Sequence, residues 1–125
     1  VLAALDNAPG ARGVMHCFSG DAAHARRCAD HGFVASFSGI VTFPRSDPIQ
    51  DAARTVADDG FVVETDSPFL SPAPQRGRVN LPERVAITAT AVARLRGMTV
   101  DEVRTATTRT ARRILDLPIA APARA

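Results

Sequence analysis

An α/β fold with a parallel sheet is the architecture this sequence predicts. Three apolar runs, at residues 13–18, 33–37 and 61–66, are too short for helices and rich in Val and Phe, so they read as buried strands. Segments with helix start and stop residues separate them, and a strand–helix alternation of this kind builds a parallel sheet with right-handed crossovers. Nothing repeats at a fixed period. The chain has 125 residues, 46% hydrophobic and 22% charged. That is enough for one domain with a core and too few for two ordinary ones.

Val1 to Leu5 reads as the end of a helix already under way, and Asp6-Asn7-Ala8-Pro9-Gly10 as a loop with breaker residues. A start at Val1, not Met, fits a fragment. The first strand runs from Gly13 and ends at Ser19-Gly20, with Val14, His16 and Phe18 on one face. A helix from about Asp21 to Asp30 is opened by Asp21 and stopped by Gly32, with Ala22, Ala25, Cys28 and Ala29 as its small apolar stripe. Phe33–Phe37 is the second strand, closed by Ser38-Gly39. Ile40 to Pro44 is an apolar loop suited to a pocket wall. Asp47-Pro48 starts a helix to about Ala57, with Asp47 as N-cap and Pro48 at the first helical position. Gly60 then turns into the third strand. Val62, Glu64 and Asp66 share a face if that strand stays extended.

Ser67 to Leu81 is a long loop stiffened by Pro68, Pro72 and Pro74, and loops of this length are functional or disordered. Pro82 opens a helix to about Arg96 that Gly97 closes. Thr99-Val100-Asp101-Glu102 matches a capping box and starts a short helix, and Thr107 or Thr108 caps a last one through Leu115. Residues 1–117 are expected to form the domain, with 118–125 as a frayed Ala/Pro tail.

Composition narrows the function classes. All fifteen basic residues are Arg, and the net charge is only +2. Arg suits phosphate recognition through its planar fork, although a GC-rich coding bias accounts for the absence of Lys. Cys17 and Cys28 lack C-x-x-C spacing, so they read as reduced thiols of a cytoplasmic protein and not as a disulfide frame or zinc knuckle. No apolar stretch is long enough to span a membrane.

The three strand ends carry His16-Cys17-Phe18-Ser19-Gly20, Phe37-Ser38-Gly39 and Glu64-Thr65-Asp66-Ser67. In a βα barrel such ends open on one rim. A His and an Asp meeting there suit a metal-assisted hydrolase, because both offer lone pairs to a divalent cation that acidifies bound water. Two ligands do not make a tight site, and Asp66 has an alternative use as a turn cap in Asp-Ser-Pro. His24 and His31 read as surface residues, His31 being favourable at a helix C-terminus. Arg76-Gly77-Arg78 reads as a phosphate contact or as solvated loop charge. No nucleophile elbow, P-loop or H-E-x-x-H is present.

Taken together, the three strand-end motifs, extended by Ile40-Val41-Thr42-Phe43 and Pro68-Phe69-Leu70, and followed by Pro74 to Pro82, resemble the TatD family of metal-dependent hydrolases, described as deoxyribonucleases. The resemblance runs from about Gly13 to Leu117. It implies the C-terminal part of a TIM-like (β/α)8 barrel, with three parallel strands alternating with helices. It implies His16 and Asp66 as ligands of a divalent cation (Mg²⁺, Mn²⁺ or Zn²⁺), with Asp66 also catalytic, taking the proton of the attacking water. It implies Arg76, Gly77 and Asn80 beside the site as substrate or structural contacts, and DNA as substrate. One departure is Asn80-Leu81-Pro82, where the family commonly has Asn-Glu-Pro. The family's His-x-His pair, a Glu and another His have no counterpart here. A barrel takes about 250 residues and eight strands. The chain alone is therefore expected to bind metal weakly and to have little activity, its partner being the other part of the barrel in a protein that is a monomer at full length. Two competing readings are a related hydrolase acting on another ester or amide, and a non-catalytic nucleic-acid-binding remnant, which the absence of Tyr and Trp for base stacking disfavours.

Overall fold

The computed structural model describes residues 1–118. A short helix α1 (Leu2–Asp6) leads into strand β1 (Gly13–Met15), helix α2 (Ala22–Asp30), strand β2 (Phe33–Phe37), helix α3 (Asp47–Thr55), strand β3 (Phe61–Val63) and helices α4 (Val85–Arg96) and α5 (Val100–Ile114). The described strands form one sheet in the order β1-β2-β3, and both pairings are parallel. Val14 pairs with Val34, and Ser36 with Val62. The expected alternation of strand and helix is therefore present.

Side-chain alternation divides the sheet into two faces. Ala35, Phe37 and Phe61 point to the helices and join Ala25, Cys28, Ala52, Ala53, Val92, Ala93, Val103 and Ala106 in the core. Phe37 sits at its centre, fully buried, edge-on to Phe18 at 5.9 Å and tilted against Phe61 at 6.3 Å. Such aromatic pairs add about 0.5–1.5 kcal/mol beyond their burial. The opposite face carries Val14, Val34, Ser36 and Val62, none of which belongs to the helix-covered core.

Chain ends of the helices are closed by named groups. Asp21 caps α2 by accepting from the His24 backbone N–H at 2.8 Å. Gly97, at φ +65°, terminates α4 in the left-handed region that glycine tolerates. Arg96 donates to the Ala53 and Val56 carbonyls at 2.7 and 2.8 Å, which satisfies orphan carbonyls at the end of α3. Its guanidinium lies 4.6 Å from the Phe61 ring centroid, so one side chain ties α4 to α3 and β3.

Several boundaries differ from the sequence reading. Ser46, not Asp47, occupies the N-cap position of α3. Residues Pro82–Arg84 form a 3-10 turn before α4, and Gly39–Thr42 forms another in the segment expected to be a loop. The two C-terminal helices are one: α5 runs unbroken through Thr107, whose hydroxyl donates back to the Val103 carbonyl at 2.9 Å and caps nothing. The proposed tail of residues 118–125 lies outside the described residues beyond Pro118. Among the described residues no helix is long and apolar enough to cross a membrane.

Candidate metal centre

All three strands end on the same edge of the sheet, and two left-handed residues turn that edge into a site. At the end of β1 the backbone leaves the ladder at His16-Cys17, with Cys17 at φ +50°. It rejoins at Phe18, whose N–H donates to the Ser36 carbonyl at 2.9 Å. The excursion pushes the His16 ring out over the rim. At the end of β3 the Glu64 N–H donates to the Phe37 carbonyl at 2.9 Å, and Asp66 then adopts φ +59°. The third strand thus does not stay extended to Asp66, as the shared-face reading required. The carboxylates reach the same place through the turn.

His16 lies between them. Its Nδ1 is 2.9 and 3.0 Å from the two Glu64 oxygens, and its Nε2 is 3.1 Å from Asp66 Oδ1. The structure therefore brings the two sequence-predicted ligands, His16 and Asp66, into contact. The Glu64 hydrogen bond and charge, reinforced by Asp66, hold the imidazole pKa above its ordinary value. Glu64 also accepts from the Cys17 backbone N–H at 3.1 Å and from the Ser36 hydroxyl. Cys17 Sγ contacts Ser38 Oγ at 3.4 Å, and burial pushes its thiol pKa up, with the Ser38 hydrogen bond opposing. Sequence reasoning gave Glu64 no role beyond sharing a face with Asp66. Its spacing of two from Asp66 was the available signal.

The loop after Asp66 frames one side of the rim. Asn80 is 2% exposed, and its amide donates to the Thr65 and Phe69 carbonyls at 2.7 and 2.8 Å. Its Oδ1 accepts from the Leu81 N–H at 2.9 Å. The Asn80 side chain is thus spent on backbone, pinning the loop beside Asp66, and has nothing left to offer a substrate. Gly39 lets the loop come close, since a Cβ there would lie 2.3 Å from the Leu70 carbonyl oxygen. Arg76, Gly77 and Arg78 are exposed, and Arg76 stacks 4.3 Å over the Phe43 ring. With Phe69 and Val79 they line an open depression of about 610 Å³. Leu81, where the resemblance expects an acid, is 41% exposed. His24 and His31 lie elsewhere, paired locally with Asp21 at 2.8 Å and Asp6 at 3.1 Å.

The donor set fits a divalent cation. One ligand atom from each of His16, Glu64 and Asp66 lies within 4.8 Å of the others. The 3.1 Å between His16 Nε2 and Asp66 Oδ1 suits two donors bound at about 2.1 Å to one ion. The Ser67 hydroxyl next to Asp66 is buried without a partner.

The description "TatD related DNase" belongs to the family model that matches residues 1–116. The chain is 48% identical over 96 residues to the uncharacterized metal-dependent hydrolase YcfH of Escherichia coli (strain K12), covering 77% of this chain and 36% of that protein. It is 40% identical over 102 residues to the uncharacterized metal-dependent hydrolase YabD of Bacillus subtilis (strain 168), covering 82% and 40%. The crystal structure of YJJV, a TatD homologue from Escherichia coli K12, superposes with a TM-score of 0.86 at 26% identity, over 94% of this chain and 46% of that one. The chain thus spans less than half the length of these proteins, and its three parallel strands are part of a TIM-like barrel. A match over nearly every described residue, joined to a His–Asp pair at the strand ends, makes this chain a member of the TatD related DNase family of metal-dependent hydrolases.

Proposed function

We propose that this chain provides the C-terminal part of the active site of a divalent-metal-dependent deoxyribonuclease that hydrolyses phosphodiester bonds of DNA. The observation that carries the reading is the meeting of His16 Nε2 and Asp66 Oδ1 at the strand ends of a TatD-family sheet. His16 and Asp66 would hold a Mg²⁺, Mn²⁺ or Zn²⁺ ion. When bound, such an ion polarises a phosphoryl oxygen and lowers the pKa of water. Asp66 has a second oxygen free to accept the proton of the attacking water, and a carboxylate at the mouth of a site is suited to that transfer. Arg76, beside the flexible Gly77, presents its guanidinium to a phosphate while its face rests on Phe43. Asn80 serves substrate only by fixing the loop that carries Arg76. The remaining ligands come from the rest of the barrel, which makes that portion the chain's obligate partner within a monomeric, cytoplasmic enzyme. Two free cysteines agree with a reducing compartment.

The test joins the chain to the N-terminal portion of YcfH and assays cleavage of DNA, small esters and amides with each metal. DNA cleavage that needs metal and falls at least a hundredfold in Asp66→Asn is the expected result, since one catalytic proton acceptor contributes about 10²–10⁴-fold. Ester or amide hydrolysis without DNA cleavage would overturn the substrate assignment. DNA cleavage untouched by Asp66→Asn would overturn the site.

A further inference from the structure

We propose that Glu64 is a positioning residue for His16: it keeps the ring proton on Nδ1, so that the Nε2 lone pair faces Asp66 and the metal position, and it is not a ligand itself. This inference rests on the metal-site reading of His16 and Asp66.

Three donors converge on Glu64. Oε1 accepts from the Cys17 N–H at 3.1 Å, Oε2 from the Ser36 hydroxyl, and both oxygens lie within 3.0 Å of His16 Nδ1. A cation at Glu64 would have to compete with these three donors for the carboxylate's lone pairs. The Cys17 amide cannot turn away, because the left-handed residue is locked between His16 and the Phe18–Ser36 hydrogen bond. Ser36 is 1% exposed and stands on the middle strand, between His16 and Glu64. The Glu64 side chain is 18% exposed, whereas the His16 ring is 67% exposed. An anchored carboxylate thus grips a ring that nothing else restrains on that side. A metal-binding imidazole depends on such a partner for its tautomer and orientation.

The contact pattern makes a sharp prediction for Glu64→Leu. Glutamine would keep an oxygen 2.9 Å from Nδ1, whereas leucine leaves that side of the ring no acceptor. The one carboxylate still beside the ring is Asp66, 3.1 Å from Nε2. The neutral ring then carries its proton on Nε2, where it donates to Asp66 and blocks the metal.

The experiment is long-range ¹H–¹⁵N NMR of the full chain without metal, at a pH where His16 is neutral by its own titration, followed by titration with Zn²⁺ alone. His16 is assigned by its loss in His16→Gln, and His24 serves as an internal control. Wild type should carry the proton on Nδ1, and Glu64→Leu should carry it on Nε2. Zn²⁺ affinity read at the ring should fall about tenfold or more in Glu64→Leu. A neutral wild-type ring protonated on Nε2 would overturn the proposal, and this readout needs no variant to fold. An unchanged tautomer in Glu64→Leu with Zn²⁺ binding lost would overturn it in favour of Glu64 as ligand. Failure of the metal-site reading looks different: the tautomer switches as expected, but Zn²⁺ leaves the His16 resonances of wild type unmoved.

Discussion

His16 meets two carboxylates on opposite sides of one ring, and its titration records both. Its pKa is raised, first by the Glu64 hydrogen bond and charge, with Asp66 adding to them. A group whose folded pKa exceeds its unfolded one adds stability that is fully present below the unfolded value, near 6.5, and lost as pH rises through the raised value. The ring is 67% exposed, so solvent screens much of the effect. A thermal midpoint that declines slightly across that window, and stays flat in His16→Gln, is the expected outcome. A midpoint that climbs there through His16 would show that the carboxylates do not hold the ring. Metal affinity runs the other way, because a cation needs the neutral ring, and should strengthen through the same window. His16 and Asp66 stood out in the sequence because each lies near the end of an apolar run, within a motif that resembles the TatD family. Glu64 did not, since its grip on His16 depends on positive φ at Cys17 and Asp66. Neither residue type advertises that conformation as glycine does.

At the scale of elements, helix-start residues were legible where their side chains make the cap and misleading where packing overrode them. Asp21 caps α2 as its position implies, and the capping box at Thr99 opens α5. The Thr99 hydroxyl accepts from the Glu102 N–H at 3.2 Å, while the Glu102 carboxylate accepts from the Thr99 N–H at 2.7 Å. The Thr99 N–H, with the Thr99 hydroxyl 2.9 Å from the same oxygen, holds the Glu102 pKa below the usual carboxylate range. Thr107 and Thr108 carry the same chemistry inside α5, where burial of Val103, Ala106, Thr107 and Thr110 on one face keeps the helix going. Tertiary packing outweighed the local preference of threonine for a cap. Thr99→Ala should therefore cost about 1 kcal/mol in urea unfolding. Thr108→Ala, at an exposed mid-helix position, should be neutral or slightly stabilising. Equal losses at both would mean that α5 has a second start. Short strands set the other limit: β1 and β3 span three residues each, and the sequence reading extended both into the turns that build the site.

For the whole molecule, the decisive property is a sheet covered by helices on one side and left half-open along the edge strands of the other. Helices α2 to α5 bury Phe37 and Phe61; on the other face Val34 and Ser36 of the middle strand are buried, while Val14 and Val62 on the edge strands are only half-buried. Strands β1 and β3 are both edges of the described sheet. A parallel sheet is ordinarily buried on both faces, and an open edge with apolar neighbours invites pairing with another chain. The alternation that revealed the parallel sheet could not reveal this, because apolar residues on both faces of a strand read alike whether or not a second layer is present. The TatD relatives are longer than this chain by more than a factor of two, which is room for the strands that would close a barrel. The chain alone should therefore bind a hydrophobic dye such as ANS and self-associate with rising concentration. Joined to the N-terminal portion of YcfH, it should lose most dye binding, become monomeric and unfold in a sharper transition, because burying the second face adds to the surface exposed on unfolding. If the proposed function holds, metal-dependent activity and loss of dye binding should appear together, since one closure would cover Val14 and Val62 and complete the site at His16 and Asp66. A monomeric chain that binds no dye and unfolds cooperatively by itself would mean that the exposed face needs no cover. In that case the site at the strand ends would have to be completed within these residues.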